Sequence, residues 1–331
     1  MITELSIDEF ETGLRDGGLF DSNEPFVVRN LVSDWPLVKQ AKISSKNLRE
    51  YLLDKSIDRA FTVSFAGKEV NGRIGYQSDM KINFRERQLP LKDIFQQMEL
   101  AEGEPNQPLI YTGSIDVKKY FNGLFEENSI ENLGRNPRAG LWMGLKTRVP
   151  IHNDFPDNLA CNLCGRREFT LFPPGQFKNL YLGPIDYTPA GRAISMVDID
   201  QPDYAEFPNY AKAEKEAKCV ELAPGDVVHI PSMWWHSVKG LDGFNAMLNF
   251  WWREKPMLGD PDAALVHAIF SWRDLPQDEK RTWRELLDYY VFTDPERVRA
   301  HIPPEGRGIL SNVDGALSQK IRTFLLNTLN K

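Results

Sequence analysis

Hydrophobic positions change their period twice along the chain. Between residue 1 and about residue 135 they recur every three or four positions. "SSKNLREYLLDK" carries Leu48, Tyr51 and Leu52, and "PLKDIFQQMEL" carries Leu91, Ile94, Phe95 and Met98, which predicts amphipathic helices beside one short strand in "PFVVRNL". From Gly140 to Arg253 the texture becomes short apolar runs broken by Pro and Gly: "GLWMGLK", "NLACNLCG", "REFTLFPP", "KCVELAPGD", "VVHIP", "HSVKG" and "NAMLNFWWR". These predict the strands of an antiparallel sandwich or barrel. The piece between Pro174 and Cys219 is too long for a hairpin loop and is rich in Pro, Tyr and Asp, so it is expected to be an ordered excursion over one mouth of the β core. After "REKPMLGDPD" the helical period returns. In "DEKRTWRELLDYYVF", Trp283, Leu286, Leu287, Tyr290 and Val291 form a wide stripe with Asp278 placed to cap it, and "ALSQKIRTFLLNTL" repeats the theme with Leu317, Ile321, Phe324, Leu325 and Thr328. Such stripes are buried against the β core or against a second copy of the chain.

The expected organisation is an N-terminal α/β flank over residues 1–135, a mainly β core over 136–255 and a helical segment over 256–331. With 331 residues, of which 41% are hydrophobic and 11% aromatic, there is ample material for a buried core. The three cysteines, Cys161, Cys164 and Cys219, form no even disulfide framework, and "MITELSIDEF" has no basic or apolar leader pattern, so a cytoplasmic location is expected. No run approaches the roughly 18 apolar residues of a membrane span. A net charge of -7 and a pI near 5.4 argue against general nucleic-acid affinity, because "CGRREF" and "EKRTWRE" are short basic pieces amid acidic residues.

The chemistry concentrates in "VPIHNDFPDN". On an extended segment residues i and i+2 share a face, so His152 and Asp154 converge there. Only five histidines exist. His267 and His301 fall in the C-terminal helical segment, and His229 in "DVVHIP" suits a core or pocket-lining position. His236, which opens a strand after a Pro-Ser-Met turn, is the preferred third ligand. His152, Asp154 and His236 then make a 2-His-1-carboxylate set that leaves three positions of a six-coordinate metal open. The lone "CNLC" of residues 161–164 suggests zinc or thiol chemistry, but alternate strand faces and the absence of a second Cys pair favour strand packing. One member of each "WW" pair, at 234–235 and 251–252, is expected to face the pocket, with Trp251 a substrate contact.

With these residues in place, the chain resembles the cupin-like JmjC-domain oxygenases, a family that includes factor-inhibiting-HIF-like hydroxylases. The resemblance runs from "LWMGLKTRVPIHNDFPDNLACNLCGRREFTLFPP" through "APGDVVHIPSMWWHSVKG" to "NAMLNFWWR", and includes "EPFVVRNLVSDWP". It implies a double-stranded β-helix (jelly-roll) core with helical flanks, Fe(II) held by His152, Asp154 and His236, and 2-oxoglutarate as cosubstrate. By matched position it places Asn158 and Asn249 in the metal and cosubstrate pocket. It places Tyr111 at the distal carboxylate of 2-oxoglutarate, although a core tyrosine on a strand is an equal reading. Two departures stand out. Arg167 replaces the lysine of close relatives, and Val149, where many relatives have Thr or Ser, has no hydroxyl; Thr147 is the nearby substitute. The implied reaction hydroxylates a protein or peptide side chain, or a small molecule, with succinate and carbon dioxide as coproducts. Lysine demethylation and tRNA-base hydroxylation are less favoured. Outside oxygenases the rivals are a different metal-binding cupin or a catalytically silent dimeric scaffold.

Overall fold

The computed structural model describes residues 2–133, 136–255 and 257–330. Thirteen strands occur among them: β1 (Thr3–Leu5), β2 (Phe26–Val28), β3 (Ala60–Ala66), β4 (Arg85–Pro90), β5 (Leu109–Asp116), β6 (Arg138–Gly144), β7 (Arg148–Asn153), β8 (Asp157–Cys164), β9 (Arg167–Phe172), β10 (Lys218–Leu222), β11 (Val227–Ile230), β12 (Trp235–Gly240) and β13 (Asn245–Trp252). They form a nine-stranded sheet in the order β1-β2-β11-β8-β13-β6-β5-β3-β4 and a four-stranded sheet in the order β10-β9-β12-β7. Pairing is antiparallel except between β1 and β2. This is the expected mainly β jelly-roll core with flanking helices.

Burial explains the layers. Helices Pro36–Ile43, Ser45–Lys55 and Leu91–Glu102 bury Leu37, Leu48, Leu52, Ile94 and Met98 in the same cluster as Leu141, Leu159, Leu248 and Phe250 of the large sheet. A second cluster, with Phe169, Leu171, Val228, Val238 and Met247, joins residues of both sheets. A third gathers Ile151, Phe172 and Trp235 of the small sheet with Leu180, Val197 and Tyr210 of the long excursion. Backbone bonds and charge hold that excursion in place. Ser195 N–H donates to the Ile151 carbonyl at 2.8 Å, and Asp198 and Asp200 pair with Arg148.

Several expectations are corrected. The N-terminal segment supplies five strands of the large sheet rather than one. One of them, β4 ("RERQLP"), is a largely exposed edge strand, where charged side chains cost little and discourage pairing with another chain. Cys161 and Cys164 both enter one core cluster. The register between β8 and β13 slips at Ala246/Met247, so simple alternation does not separate them.

Residues 1–254 and 255–331 form two compact units; the expected boundary residues Arg135 and Pro256 lie outside the described residues. The C-terminal unit contains helices Pro261–Trp272, Gln277–Leu287 and Gly315–Leu329. Asp278 does not cap its helix. Pro276 is the N-cap residue, and Asp278 sits in the first turn, bonded to Arg281. Among the described residues no helix is long and apolar enough to cross a membrane.

Candidate metal centre

Antiparallel pairing of β7 with β12 sets His152 directly opposite His236. Their ring centroids lie 4.3 Å apart, and Asp154, just beyond the end of β7, brings Oδ2 to 3.9 Å from His236 Nε2. One ligand atom from each of the three residues falls within 4.8 Å of the others. Each imidazole is oriented by a carbonyl two residues earlier: Nδ1 of His152 is 2.9 Å from the Pro150 oxygen, and Nδ1 of His236 is 3.1 Å from the Trp234 oxygen. With Nδ1 carrying the proton toward the carbonyl, Nε2 of each ring keeps a lone pair for a metal. Burial and the neighbouring His152 pull the pKa of His236 down to about 4, against the opposing pull of Asp154. At neutral pH it is therefore an uncharged donor. The donor set suits a divalent first-row metal with open positions.

The triad opens on a cavity of about 550 Å³. Arg167, Tyr111, Val149, Asn158, Asn249 and Trp251 all line it, so the structure brings together the site residues expected from sequence. Arg167 is 5% exposed and forms no ion pair among the described residues, and its Nε has no hydrogen-bond partner. Burial lowers its pKa to about 10, which leaves it cationic at neutral pH. A buried guanidinium without a carboxylate is costly unless a ligand supplies one. Tyr111 lies close enough to Arg167 for their charges to interact, and burial raises its hydroxyl pKa, so it remains a neutral donor. Asn249 donates from Nδ2 to Asn158 Oδ1 at 2.7 Å, while its own Oδ1 has no partner among the described residues.

Some placements differ from expectation. Thr147 does not line the cavity; its hydroxyl donates to the Leu145 carbonyl at 3.3 Å, so it does not replace the hydroxyl missing at Val149. Neither Trp234 nor Trp235 lines the cavity: Trp234 packs in the cluster joining both sheets and Trp235 in the outer cluster against the excursion. Trp251 does line it, with its ring 5.7 Å from that of Trp142 in an edge arrangement. Gly140 is required there, because a Cβ would come within 2.5 Å of the Trp251 ring.

Residues not foreseen complete the walls. Thr62, Ser64 and Glu86 reach the cavity from β3 and β4, and Arg138 from β6. From the excursion come Pro189, Ala190, Gly191 and Arg192. Arg192 lies 3.7 Å over the Phe155 ring and donates from Nε to Asn153 Oδ1 at 3.0 Å, gripping residues on both sides of Asp154. The Pro-rich composition signals an ordered strap, but no spacing rule links position 192 to 153.

Two antiparallel sheets around a cavity that holds two imidazoles and a carboxylate define a cupin with a candidate metal centre. A family model described as a cupin-like domain matches residues 18–257, and the chain belongs to this cupin-like JmjC-domain family. It is 24% identical to JmjC domain-containing protein C of Dictyostelium discoideum over 70% of this chain and 65% of that protein. Identity to HSPB1-associated protein 1 of Homo sapiens is 34% over 40% of this chain and 29% of that protein. Identity to tRNA wybutosine-synthesizing protein 5 of Gallus gallus is 31% over 54% of this chain and 52% of that protein. The matches thus span from 29% to 65% of the length of these relatives.

Proposed function

We propose that the chain is an Fe(II)- and 2-oxoglutarate-dependent oxygenase that hydroxylates a protein or peptide side chain, with a small molecule as the alternative substrate. The observation that carries this reading is Arg167, a buried cation lining the same cavity as the triad without a carboxylate partner among the described residues. Iron and 2-oxoglutarate, when bound, would activate dioxygen, which is the oxidant: one oxygen atom enters the substrate C–H bond and the other the succinate formed as carbon dioxide leaves. The protein supplies geometry. His152, Asp154 and His236 grip the metal from one side; Arg167 takes the distal carboxylate of the cosubstrate in a fork, with the Tyr111 hydroxyl beside it. Asn158 and Asn249 offer neutral polar groups near the metal, and Trp251 presents an apolar face to substrate. Two copies of the chain are proposed to associate through the exposed apolar positions of the C-terminal helices.

The test is to add Fe(II) and 2-oxoglutarate to metal-free protein under anaerobic conditions. A visible charge-transfer band is expected, followed by succinate release when air is admitted. A protein that binds Fe(II) tightly yet gives no band is not this oxygenase. The second reading, a metal-binding cupin of another activity, is favoured by Val149, which lines the cavity without a hydroxyl.

A further inference from the structure

His229 is a buried imidazole that the proposed chemistry leaves unused. It is 1% exposed and lies among three rings, with centroids at 4.9 Å for Phe20, 4.8 Å for Phe26 and 6.0 Å for Trp252. Neither ring nitrogen makes a well-formed hydrogen bond among the described residues, and Nε2 stands 3.7 Å from Asp157 Oδ1. An apolar ring would fill such a box at lower desolvation cost, so the imidazole calls for another account.

The account lies in what Asp157 joins. β8 and β11 pair at this end of the sheet, His229 opposite Leu159 and Ile230 opposite Asn158. The loop that carries Asp154 and the loop that leads into His236 of β12 therefore leave the sheet side by side: residues 154–156 precede β8, and residues 231–234 follow β11. Bonds between them form a lace. Ser232 N–H donates to Asp157 Oδ1 at 3.2 Å, Ser232 Oγ donates to the Phe155 carbonyl at 2.6 Å, and Met233 N–H donates to the Asp154 carbonyl at 2.9 Å. Met233 holds φ at 67°, a left-handed conformation that non-glycine residues seldom adopt, so this loop is kept in shape by its surroundings. Asp157 is the anchor of the lace on the sheet side. The next residue, Asn158, lines the cavity and bonds Asn249, so a shift of Asp157 moves both the metal loop and the cosubstrate wall.

We infer that His229 is a positioning residue: acting through Asp157, it keeps the loop of Asp154 and the loop leading into His236 in register and so tunes a metal it does not touch. This rests on the metal-centre reading above. Partners one step removed from the ligands are worth about 10–100-fold in metal affinity in comparable sites. Among the described residues Asp157 is the side chain that meets the imidazole at Nε2, and the Glu24 backbone is its other polar neighbour.

The experiment titrates Co(II) into metal-free full-length protein, reading affinity and the visible cobalt bands, with thermal unfolding as the folding control. His229→Phe fills the ring box and removes the polar edge. Its cobalt affinity should fall about tenfold or more, with altered bands, while cooperative unfolding is retained. His229→Gln, which keeps an N–H for Asp157, should recover most of the loss. Parent-like affinity and bands in His229→Phe overturn the inference, as does a His229→Gln variant no better than His229→Phe, which would assign the loss to packing. Should His229→Phe fail to fold, Asp157→Asn takes its place: weakened cobalt binding supports the brace and parent-like binding overturns it. A parent protein that binds no cobalt would instead remove the metal-centre reading itself.

Discussion

Asn249 and Asn158 are joined by a buried hydrogen bond of 2.7 Å across adjacent strands β13 and β8, in the wall of the metal cavity. The bond orients both amides: Asn158 Oδ1 is committed as an acceptor, and the Oδ1 of Asn249 is left without a partner among the described residues. Asn249→Ala should strip Asn158 of its donor and destabilise the metal-free protein by about 1–3 kcal/mol. Urea unfolding measures this. A loss well below that range would mean that water or a rotated Asn158 replaces the bond.

Arg167→Ala should weaken 2-oxoglutarate binding about 30-fold or more, since removing one partner of a buried charge pair costs at least 2 kcal/mol. Cobalt or iron affinity measured without the cosubstrate should stay near that of the parent, because Arg167 is not a ligand of the triad. Arg167→Lys should fall between the two, keeping charge but losing the fork. Calorimetric titration of 2-oxoglutarate into the metal-loaded protein distinguishes these outcomes. Equal affinity in Arg167→Ala would refute the carboxylate role.

Parts of this site are legible in sequence because their chemistry depends on local spacing. His152 and Asp154 share a face by strand alternation, and five histidines leave a short census for the third ligand. Other parts depend on register. The pairing that sets His152 opposite His236 spans 84 positions, and the grip of Arg192 on Asn153 and Phe155 joins segments that no periodicity connects. Edge strand β4 is hidden for another reason: its exposed charges suit its place at the sheet margin and erase the alternation that marks a half-buried strand. The role of His229 is equally illegible, because Phe20 and Asp157 reach it from remote positions.

The contact of Arg192 with Phe155 and Asn153 predicts a local effect on the excursion. Arg192→Ala removes a cation–π contact and a hydrogen bond, together about 1–2 kcal/mol. The segment lining the cavity from Pro189 to Gly191 should then exchange its amide hydrogens faster and be cut sooner by protease, while strands β8 and β13 keep their protection. Unchanged exchange in that segment would show that the Arg148 pairs with Asp198 and Asp200 hold it unaided.

Acidification provides a test of His229 in the metal-free protein. Burial among the rings lowers its pKa, opposed by Asp157 and the Glu24 backbone. The folded state therefore binds fewer protons at this group than the unfolded chain, whose histidine titrates near 6.5. The stability it confers is present above pH ~6.5 and is lost as pH falls toward the lower folded value. His236 shifts in the same direction, so the difference between proteins isolates His229. Parent protein should lose more stability between pH 7 and pH 5 than His229→Phe, measured by urea unfolding at each pH. Parallel losses would show that His229 is protonated as readily in the folded state as in the unfolded one.

The C-terminal unit leaves large apolar side chains in solvent: Phe270 is 81% exposed, Phe292 73% and Phe324 67%. Trp272 and Trp283 stack within the unit at 5.5 Å, but the stripe expected to be buried still exposes Trp283, Leu286, Tyr290 and Val291. Apolar surface of this kind on one chain is what a self-complementary interface covers. A twofold dimer is expected, with sedimentation velocity giving twice the 38.0 kDa chain mass at micromolar concentration. Phe270→Asp combined with Phe324→Asp should shift the population to monomer while cobalt binding at the triad persists, since His152, Asp154 and His236 all belong to the other compact unit. A parent protein that sediments as a monomer at these concentrations would refute self-association through this unit.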